Sequence, residues 1–434
     1  MKQVTPISGF PEWTPQCRLL ELEILDKIRK QFSLFGFLPI ETRAIEPLSV
    51  LLKKGDDKEI YVLKRLHDDP DAKEKEEGFG LHFDLTVPFA RYVTEHEHLL
   101  TFPFKRYQIQ KVWRGERKQE GRYREFYQCD IDIIAKDHLP LFFDAELPVA
   151  LLGVMAILPI PSVILKINNR KLLEGFYRGL GIESAHHVLR IVDKVAKIGP
   201  EKVSELLQSE LSISAEQAKK CVDFGRIRAT DLSFVEAVRA FSVQHTLLEE
   251  GISELSYILE FTRALGITNI EVDLSIARGL DYYTGTVYEG YLVGHEQLGA
   301  VCSGGRYDNL AEGAKQPLPG IGVSIGITRI LGYLFGRELL KPSRISSLDA
   351  YVVLNDEKDR LQSHRLAQIL RRRGVSTDIH HVPQNFGKQM KMAEKKGARF
   401  VWFCEENNQY SVKDLVTGVQ TVENPEEWVL PENI

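Results

Sequence analysis

The stretch Phe104–Gln128, FKRYQIQKVWRGERKQEGRYREFYQ, constrains what this chain can fold into more than any other. Tyr107, Ile109 and Trp113 alternate with Gln108, Gln110 and Arg114, the period-two pattern of a half-buried strand. Past the loop, Phe126, Gln128, Asp130 and Asp132 fall on one face of a second strand, with Tyr127, Cys129, Ile131 and Ile133 on the other. The two runs predict a β-hairpin. Its loop region is basic, with eight Lys or Arg against two Glu from Lys105 to Arg124. Arg114 ends one strand and Arg122 opens the other, so two guanidinium forks can converge above the sheet, and such forks suit bidentate phosphate binding. A solvated basic hairpin would carry the same charge run. What distinguishes this one is the polar row Gln128, Asp130 and Asp132 beside the arginines. Polar groups on a strand face cost free energy unless something binds them.

At 434 residues the chain exceeds one ordinary core, so two or three domains are expected. Its 43% hydrophobic and 27% charged residues are those of a soluble globular protein. A formal net charge of −5 does not announce a nucleic-acid partner, and a polyanion would need local basic faces. The five cysteines, Cys17, Cys129, Cys221, Cys302 and Cys404, are scattered without a CxxC pair. That argues against a zinc site or a disulfide framework and suits a reducing compartment, the cytoplasm. MKQVTPISGFPEWTP has no apolar core of a secretory signal. Pro148–Leu158, the most apolar run, is too short to span a bilayer and reads as a buried helix.

Residues 15–35 carry Leu19, Leu22, Leu25, Ile28, Phe32 and Phe35 at helical spacing, which predicts a long core-facing helix. Phe37–Ile40 reads as an edge strand and residues 64–79, dense in Asp, Glu and Lys, as an exposed loop. Leu81–Pro88 reads as a strand stopped by Pro88, with Asp84 and Thr86 on one face: a strand's wet side, or a binding site. Residues 171–267 are predominantly helical, with patterns at Val192–Ile198, Val203–Leu207 and Phe234–Leu265, punctuated by Pro200 and Gly251. This region reads as a helical insertion and return helix. A role in binding a partner and a purely structural one are both open. Val272, Leu274 and Ile276 mark a strand that delivers Arg278-Gly279-Leu280-Asp281-Tyr282-Tyr283, read either as a turn with surface tyrosines or as a binding loop. Ser303–Asp308 follows a strand ending at Val301. Gly320–Gly326 reads as a strand entering a helix whose buried stripe is Ile327, Ile330, Leu331 and Leu334. Arg329 lies off that stripe in the first turn, where a helix prefers negative charge, and bound phosphate would resolve the mismatch. Residues 337–347 read as a linker. Beyond it, alternating strands and helices predict a small α/β domain with a mixed sheet. From Arg360 to Arg399 ten Lys or Arg face two acidic residues, a solubilising surface or a site for RNA.

Four stretches in order, RGERKQEGRYREFYQCDID, ARGLDYYTG at 277–285, CSGGRYD at 302–308 and GIGVSIGITR at 320–329, resemble the class II aminoacyl-tRNA synthetases and, within them, the histidyl-tRNA synthetase family. Glu46-Pro47-Leu48 resembles that class's dimerisation motif. The resemblance implies an α/β (α+β) fold: an antiparallel sheet flanked by helices, a helical insertion and a C-terminal α/β anticodon-binding domain. The corresponding divisions are 1–170 and 268–336 for the catalytic domain, 171–267 for the insertion, 337–347 for the linker and 348–434 for the anticodon-binding domain. It implies L-histidine, ATP with Mg²⁺, and tRNA(His) as partners of a homodimer, with no membrane. Arg114, Arg278 and Arg329 would be the catalytic cations, joined by Arg122 on ATP. Asp84, Leu85, Thr86 and Gln128 would surround the α-ammonium, with Asp132 and Tyr283 on the imidazole and Tyr282 and Tyr307 nearby. No metal ligand comes from the protein. The chain departs from the family at Thr328, where many members carry Glu before the motif 3 arginine. A second class is a non-catalytic synthetase paralogue that regulates histidine biosynthesis. Such proteins lack the anticodon-binding domain and have eroded motifs, whereas here the RGLDYY arginine and a basic C-terminal domain are present.

Overall fold

Apolar residues three and four apart make the first helix, α1 (Pro15–Leu34), where Leu25, Ile28 and Phe32 are buried while Leu22, read into the same stripe, is exposed. The computed structural model describes all residues except 1–4, 53–58, 65, 67–77, 117–119, 193–194, 277–282, 313–315, 406–408 and 432–434, and the side chains of 186, 196, 197 and 312. Arg278, Tyr282 and most of the charged run 64–79 therefore lie outside the described residues. The chain divides into two compact units, Met1–Pro11 with Ile24–Leu340, and Glu12–Glu23 with Lys341–Ile434. Among the described residues no helix is long and apolar enough to cross a membrane.

The first unit takes α1 from Ile24 onward and continues with β1 (Leu38–Pro39), β2 (Ile45–Pro47), the single turn α2 (Leu48–Leu51), β3 (Val62–Leu63), β4 (Phe79–Leu81), α3 (Thr86–His96), the hairpin β5 (Phe104–Trp113) and β6 (Glu125–Ile134), α4 (Phe142–Ala156) and β7 (Val163–Asn169). A mainly helical stretch follows: α5 (Arg170–Gly179), α6 (Ala185–Val192), α7 (Val195–Ile198), α8 (Pro200–Leu211), α9 (Ala215–Phe224), β8 (Arg228–Ala229), α10 (Ser233–Arg239) and α11 (Thr246–Ala264). Then β9 (Ile270–Asp273), β10 (Thr286–Leu292), β11 (Cys302–Glu312), β12 (Pro317–Ile325) and α12 (Ile327–Gly336) complete it. Nine strands form one sheet in the order β1-β5-β6-β12-β11-β10-β7-β9-β8. Its pairings are antiparallel except β1 on β5 and β7 on β9. β2, β4 and β3 make a separate small sheet.

Several expectations are corrected. Leu81–Pro88 is no strand: β4 ends at Leu81 and α3 starts at Thr86. Pro88 sits in the first helical turn, where its missing N–H would have had no partner anyway. Ser303–Asp308 lies inside β11 rather than after a strand. Phe234–Leu265 is two helices, parted near Ser242, whose φ is +54°. Gly251 does not punctuate a helix; it lies within α11 against α5. A Cβ on Gly251 would sit 2.4 Å from the Leu172 nitrogen, and one on Gly175 would sit 2.2 Å from the Leu248 nitrogen. Two glycines thus let the helix backbones touch.

The second unit contains β13 (Ala350–Val352), α13 (Arg360–Arg372), β14 (Thr377–Ile379), α14 (Phe386–Lys396), β15 (Phe400–Cys404), β16 (Tyr410–Asp414) and β17 (Gln420–Val422). Its sheet, β14-β13-β15-β16-β17, is mixed, as the alternation predicts: β13 pairs in parallel with β14 and β15, and the rest is antiparallel. Val352, Leu366, Leu370 and Trp402 form its fully buried centre.

Because the α5–α11 contact is backbone against backbone, no rotamer change can accommodate a methyl group at Gly251. Gly251→Ala is expected to destabilise the protein by about 1–3 kcal/mol, the usual range for overpacking. Thermal unfolding measures this, and an unchanged midpoint would exclude the close crossing.

Candidate active site

The hairpin pairs Phe104 with Ile134 through to Trp113 with Glu125 without a break. On one face that register sets Arg106 opposite Asp132, Gln108 opposite Asp130, and Gln110 opposite Gln128. The apolar alternation of β5 would turn Tyr107, Ile109 and Trp113 inward. The structure instead leaves these half-buried and buries Arg106 and Gln108 completely. A polar face can be buried because its groups satisfy one another. Arg106 forms an ion pair with Asp132 at 2.7 Å, donates to the Leu85 carbonyl at 3.3 Å and lies 4.3 Å from the Phe89 ring. Gln108 donates to Thr42 Oγ1 at 2.9 Å and to Gln110 Oε1 at 2.6 Å.

Above this floor lies a cavity of about 380 Å³, lined by Asp84, Thr86, Gln128, Asp130, Asp132, Tyr283 and Tyr307 among others. Six of these seven are residues the sequence nominates. The seventh, Asp130, was seen only as part of the polar row. Leu85 does not line the cavity: its side chain is fully buried and only its carbonyl is used, on Arg106. Asp84 Oδ1 accepts the Val87 N–H at 3.1 Å across the first turn of α3. Tyr307 donates to Asp132 Oδ1 at 2.7 Å. Gln128 Nε2 donates to Ser324 Oγ at 2.8 Å. A Cβ on Gly322, opposite Asp132 on β12, would fall 2.0 Å from Asp132 Oδ1, so only glycine leaves that carboxylate its place. Burial pushes Asp84 up to about 6 and Asp130 up to about 7. It raises Asp132 as well, against the pull of Arg106.

A second cavity of about 200 Å³ adjoins the first and shares Arg114, Arg122, Gln128, Ser303 and Ser324 with it. Arg329 and Gly326 at the N-terminus of α12 close its far side, and Glu116 is the acid in its lining. Arg114 donates to the Phe83 carbonyl at 2.9 Å and lies 5.3 Å from the Phe126 ring, which fixes its guanidinium between the two cavities. Arg122 pairs with Glu116 at 3.1 Å. Arg329 sits in the first turn of α12 as its pattern predicts, and donates to the Leu298 carbonyl. Its guanidinium is held below the ordinary arginine range, by burial first and by neighbouring Arg122 second. Three arginines and a helix N-terminus around one small space make an anion site.

The family model described as Histidyl-tRNA synthetase matches residues 9–330. The chain is 48% identical over 428 residues to a histidine–tRNA ligase of Thermobifida fusca, covering 98% of both. It is 46% identical over 445 residues to one of Micrococcus luteus, covering 99% of this chain and 97% of the relative. The chain belongs to the histidyl-tRNA synthetase family. Its fold superimposes on the crystal structure of histidyl-tRNA synthetase from Nostoc sp. PCC 7120 with a TM-score of 0.86 at 36% identity, over 98% of this chain and 97% of that one. Thr328, which precedes Arg329, has a defined local contact. Thr328 Oγ1 accepts the Tyr127 N–H at 2.9 Å, tying the first turn of α12 to β6 beside Gln128.

The floor of the histidyl-tRNA synthetase cavity rests on one buried cation. Arg106→Met would leave Asp132 and Asp130 without it, and stranding a buried charge costs about 3–5 kcal/mol. The folded-state values of both carboxyls already lie above the ordinary range, and losing Arg106 raises them further. Ionising them then works against the folded state, so the deficit should grow between about pH 5 and about pH 8 and shrink toward acid. Denaturant unfolding at both pH values measures this; equal deficits would rule out charge as the cause.

Proposed function

We propose that this protein is a histidine–tRNA ligase, which forms histidyl-adenylate and pyrophosphate from L-histidine and ATP and then transfers histidine to the terminal ribose of tRNA(His). The observation that carries this reading is the pairing of an acid-lined cavity with an arginine-lined one across the shared Arg114. An amino acid has an ammonium for the first, a nucleotide has phosphates for the second, and the reacting carboxylate and α-phosphate meet between them.

In this reading Asp84, Thr86 and Gln128 hold the α-ammonium. Asp84 Oδ2 and Gln128 Oε1 are buried acceptors without a partner, as a ligand with N–H donors requires. Asp132, held from behind by Arg106 and Tyr307, and Tyr283 take the imidazole, which in its neutral form has one donor and one acceptor. Arg114 bridges the histidine carboxylate and the nucleotide, with Arg122 and Arg329 on the phosphates. Arg278 takes the α-phosphate and carboxylate by its resemblance alone. The carboxylate oxygen attacks the α-phosphorus and pyrophosphate leaves in line. Negative charge gathers on the α-phosphoryl oxygens, so catalysis is positioning and electrostatic stabilisation by fixed cations. Among the described residues no three or more His, Cys, Asp or Glu side chains are grouped to hold a metal. Mg²⁺ would therefore come with the nucleotide and shield its phosphate oxygens, as it does where proteins supply few ligands. The ribose hydroxyl of tRNA then attacks the acyl carbon and AMP leaves.

The anticodon stem would meet the second unit. Arg371, Arg373 and Arg399 are used on Thr377, Glu426, Trp428 and Asp414, whereas Arg365, Arg372, Lys388, Lys391 and Lys395 remain exposed on α13 and α14. The five free thiols suit the reducing cytoplasm. A homodimer would form through the small sheet. Its register puts Ile45, Leu63 and Phe79 on one face, and all three are exposed, which marks an association surface.

Histidine-dependent ATP–pyrophosphate exchange, followed by charging of tRNA, tests the activity. Histidine binding without exchange would instead support the regulatory class. Asp132→Asn should raise the Michaelis constant for histidine by about 10² or more and that for ATP little, since a site built for a polar side chain suffers most when that contact is lost. Equal rises would refute the assignment. Sedimentation at micromolar concentration should give twice the mass of one 49.5 kDa chain, and a single-chain mass would refute the dimer.

A further inference from the structure

Three carboxylates crowd the cavity floor, and among the described residues one fully buried cation accompanies them. Asp84, Asp130 and Asp132 are 3%, 2% and 1% exposed, and the one fully buried cation among the described residues around them is Arg106. Arg106 is committed to Asp132. Asp130 lies between Gln108 on β5 and Ser324 on β12, with Gln128 and Asp132 two residues away on its own face. Asp84 faces it from the loop before α3. Arg114 and Arg122, both half-buried, stand where the two cavities meet, and Tyr283, Tyr288, Tyr307 and Glu289 complete the titratable lining among the described residues. Ser324, opposite Asp130 on β12, receives the Gln128 amide on its hydroxyl oxygen at 2.8 Å. Asp130 Oδ1, Gln128 Oε1 and Asp84 Oδ2 are all buried and all lack a partner. All three residues line the cavity, and an ammonium brings three donors to it.

We propose that Asp130 is a further acceptor of the ammonium cradle, beside Asp84, Thr86 and Gln128, and holds a proton in the free enzyme, which it gives to solvent when the cationic amine binds. This rests on reading the cavity as the histidine site. One buried arginine cannot keep three carboxylates ionised, and the incoming ammonium supplies the missing charge. Asp130 is the one burial shifts up to about 7, against about 6 for Asp84. Proton binding and amine binding therefore compete at Asp130. Histidine affinity should rise with pH up to that value and level off above it.

The test is calorimetric titration of the full-length protein with L-histidine near pH 7, in buffers of different ionisation enthalpy, to count protons released. Wild type should release roughly half a proton more than Asp130→Asn, since a group at its own pKa is half protonated. The histidine imidazole titrates equally in both proteins and cancels in the difference. At about pH 8 Asp130→Asn should bind histidine about 10- to 100-fold more weakly, the cost of a charge-assisted hydrogen bond. Wild type alone gives a second readout. Histidinol, which keeps the amine, should release the proton, and imidazolepropionate, which lacks it, should not. Histidine binding with equal proton release by the two proteins, or imidazolepropionate losing as much affinity as histidine in Asp130→Asn, would overturn the role of Asp130 and leave the cavity assignment standing. No binding of histidine to wild type would overturn both.

Discussion

The ion pair between Arg106 and Asp132 is the contact on which the rest of the first unit's chemistry depends. Both side chains are essentially without solvent. Burying a charge pair costs about as much in lost hydration as it returns in attraction, and apolar side chains of similar volume would hold β5 to β6 as well. The pair's contribution lies in what it fixes. The guanidinium reaches the Leu85 carbonyl just before α3 and lies over Phe89 within α3. Through Gln108 it joins a network ending on Thr42. One side chain thereby places a carboxylate at the base of a cavity and locks the helix whose N-terminus forms the cavity wall.

From that base the charge pattern follows. The acids of β6 and Asp84 collect at one end of the cleft, and Arg114, Arg122 and Arg329 at the other. Each group is destabilised by its own neighbours: carboxyls are raised by burial, and Arg329 is lowered by burial and by Arg122. Bound substrates of opposite sign would relieve both ends at once, the usual condition of a site preorganised for charged ligands.

What the sequence made legible was local. The hairpin, the helix stripe Ile327–Leu334 and the α/β alternation after residue 347 depend on periodicity within a dozen residues, which a chain displays openly. The polar row Gln128, Asp130 and Asp132 was legible for the same reason. Arg106 was not. It reads as one more surface cation, and only the register across the hairpin shows that it faces Asp132. Gly251 was misread because a glycine that ends a helix and one that lets a helix be approached look identical in one dimension. Pro88 was misread because proline stops a strand and opens a helix equally well. Four matching motifs supplied the family, but the contacts of Tyr307 and Ser324 came only from strands brought together across long separations.

The hydroxyl of Thr328 has a structural use of its own. By taking the Tyr127 N–H it welds the helix end that carries Arg329 to the strand that carries Gln128. Arg329 lines the arginine-rich cavity and Gln128 lines both cavities, so this one bond ties the end of α12 to the strand the two cavities share. Arg329 and Gln128 are thereby held in one register, each a single residue away from the hydrogen bond that joins α12 to β6.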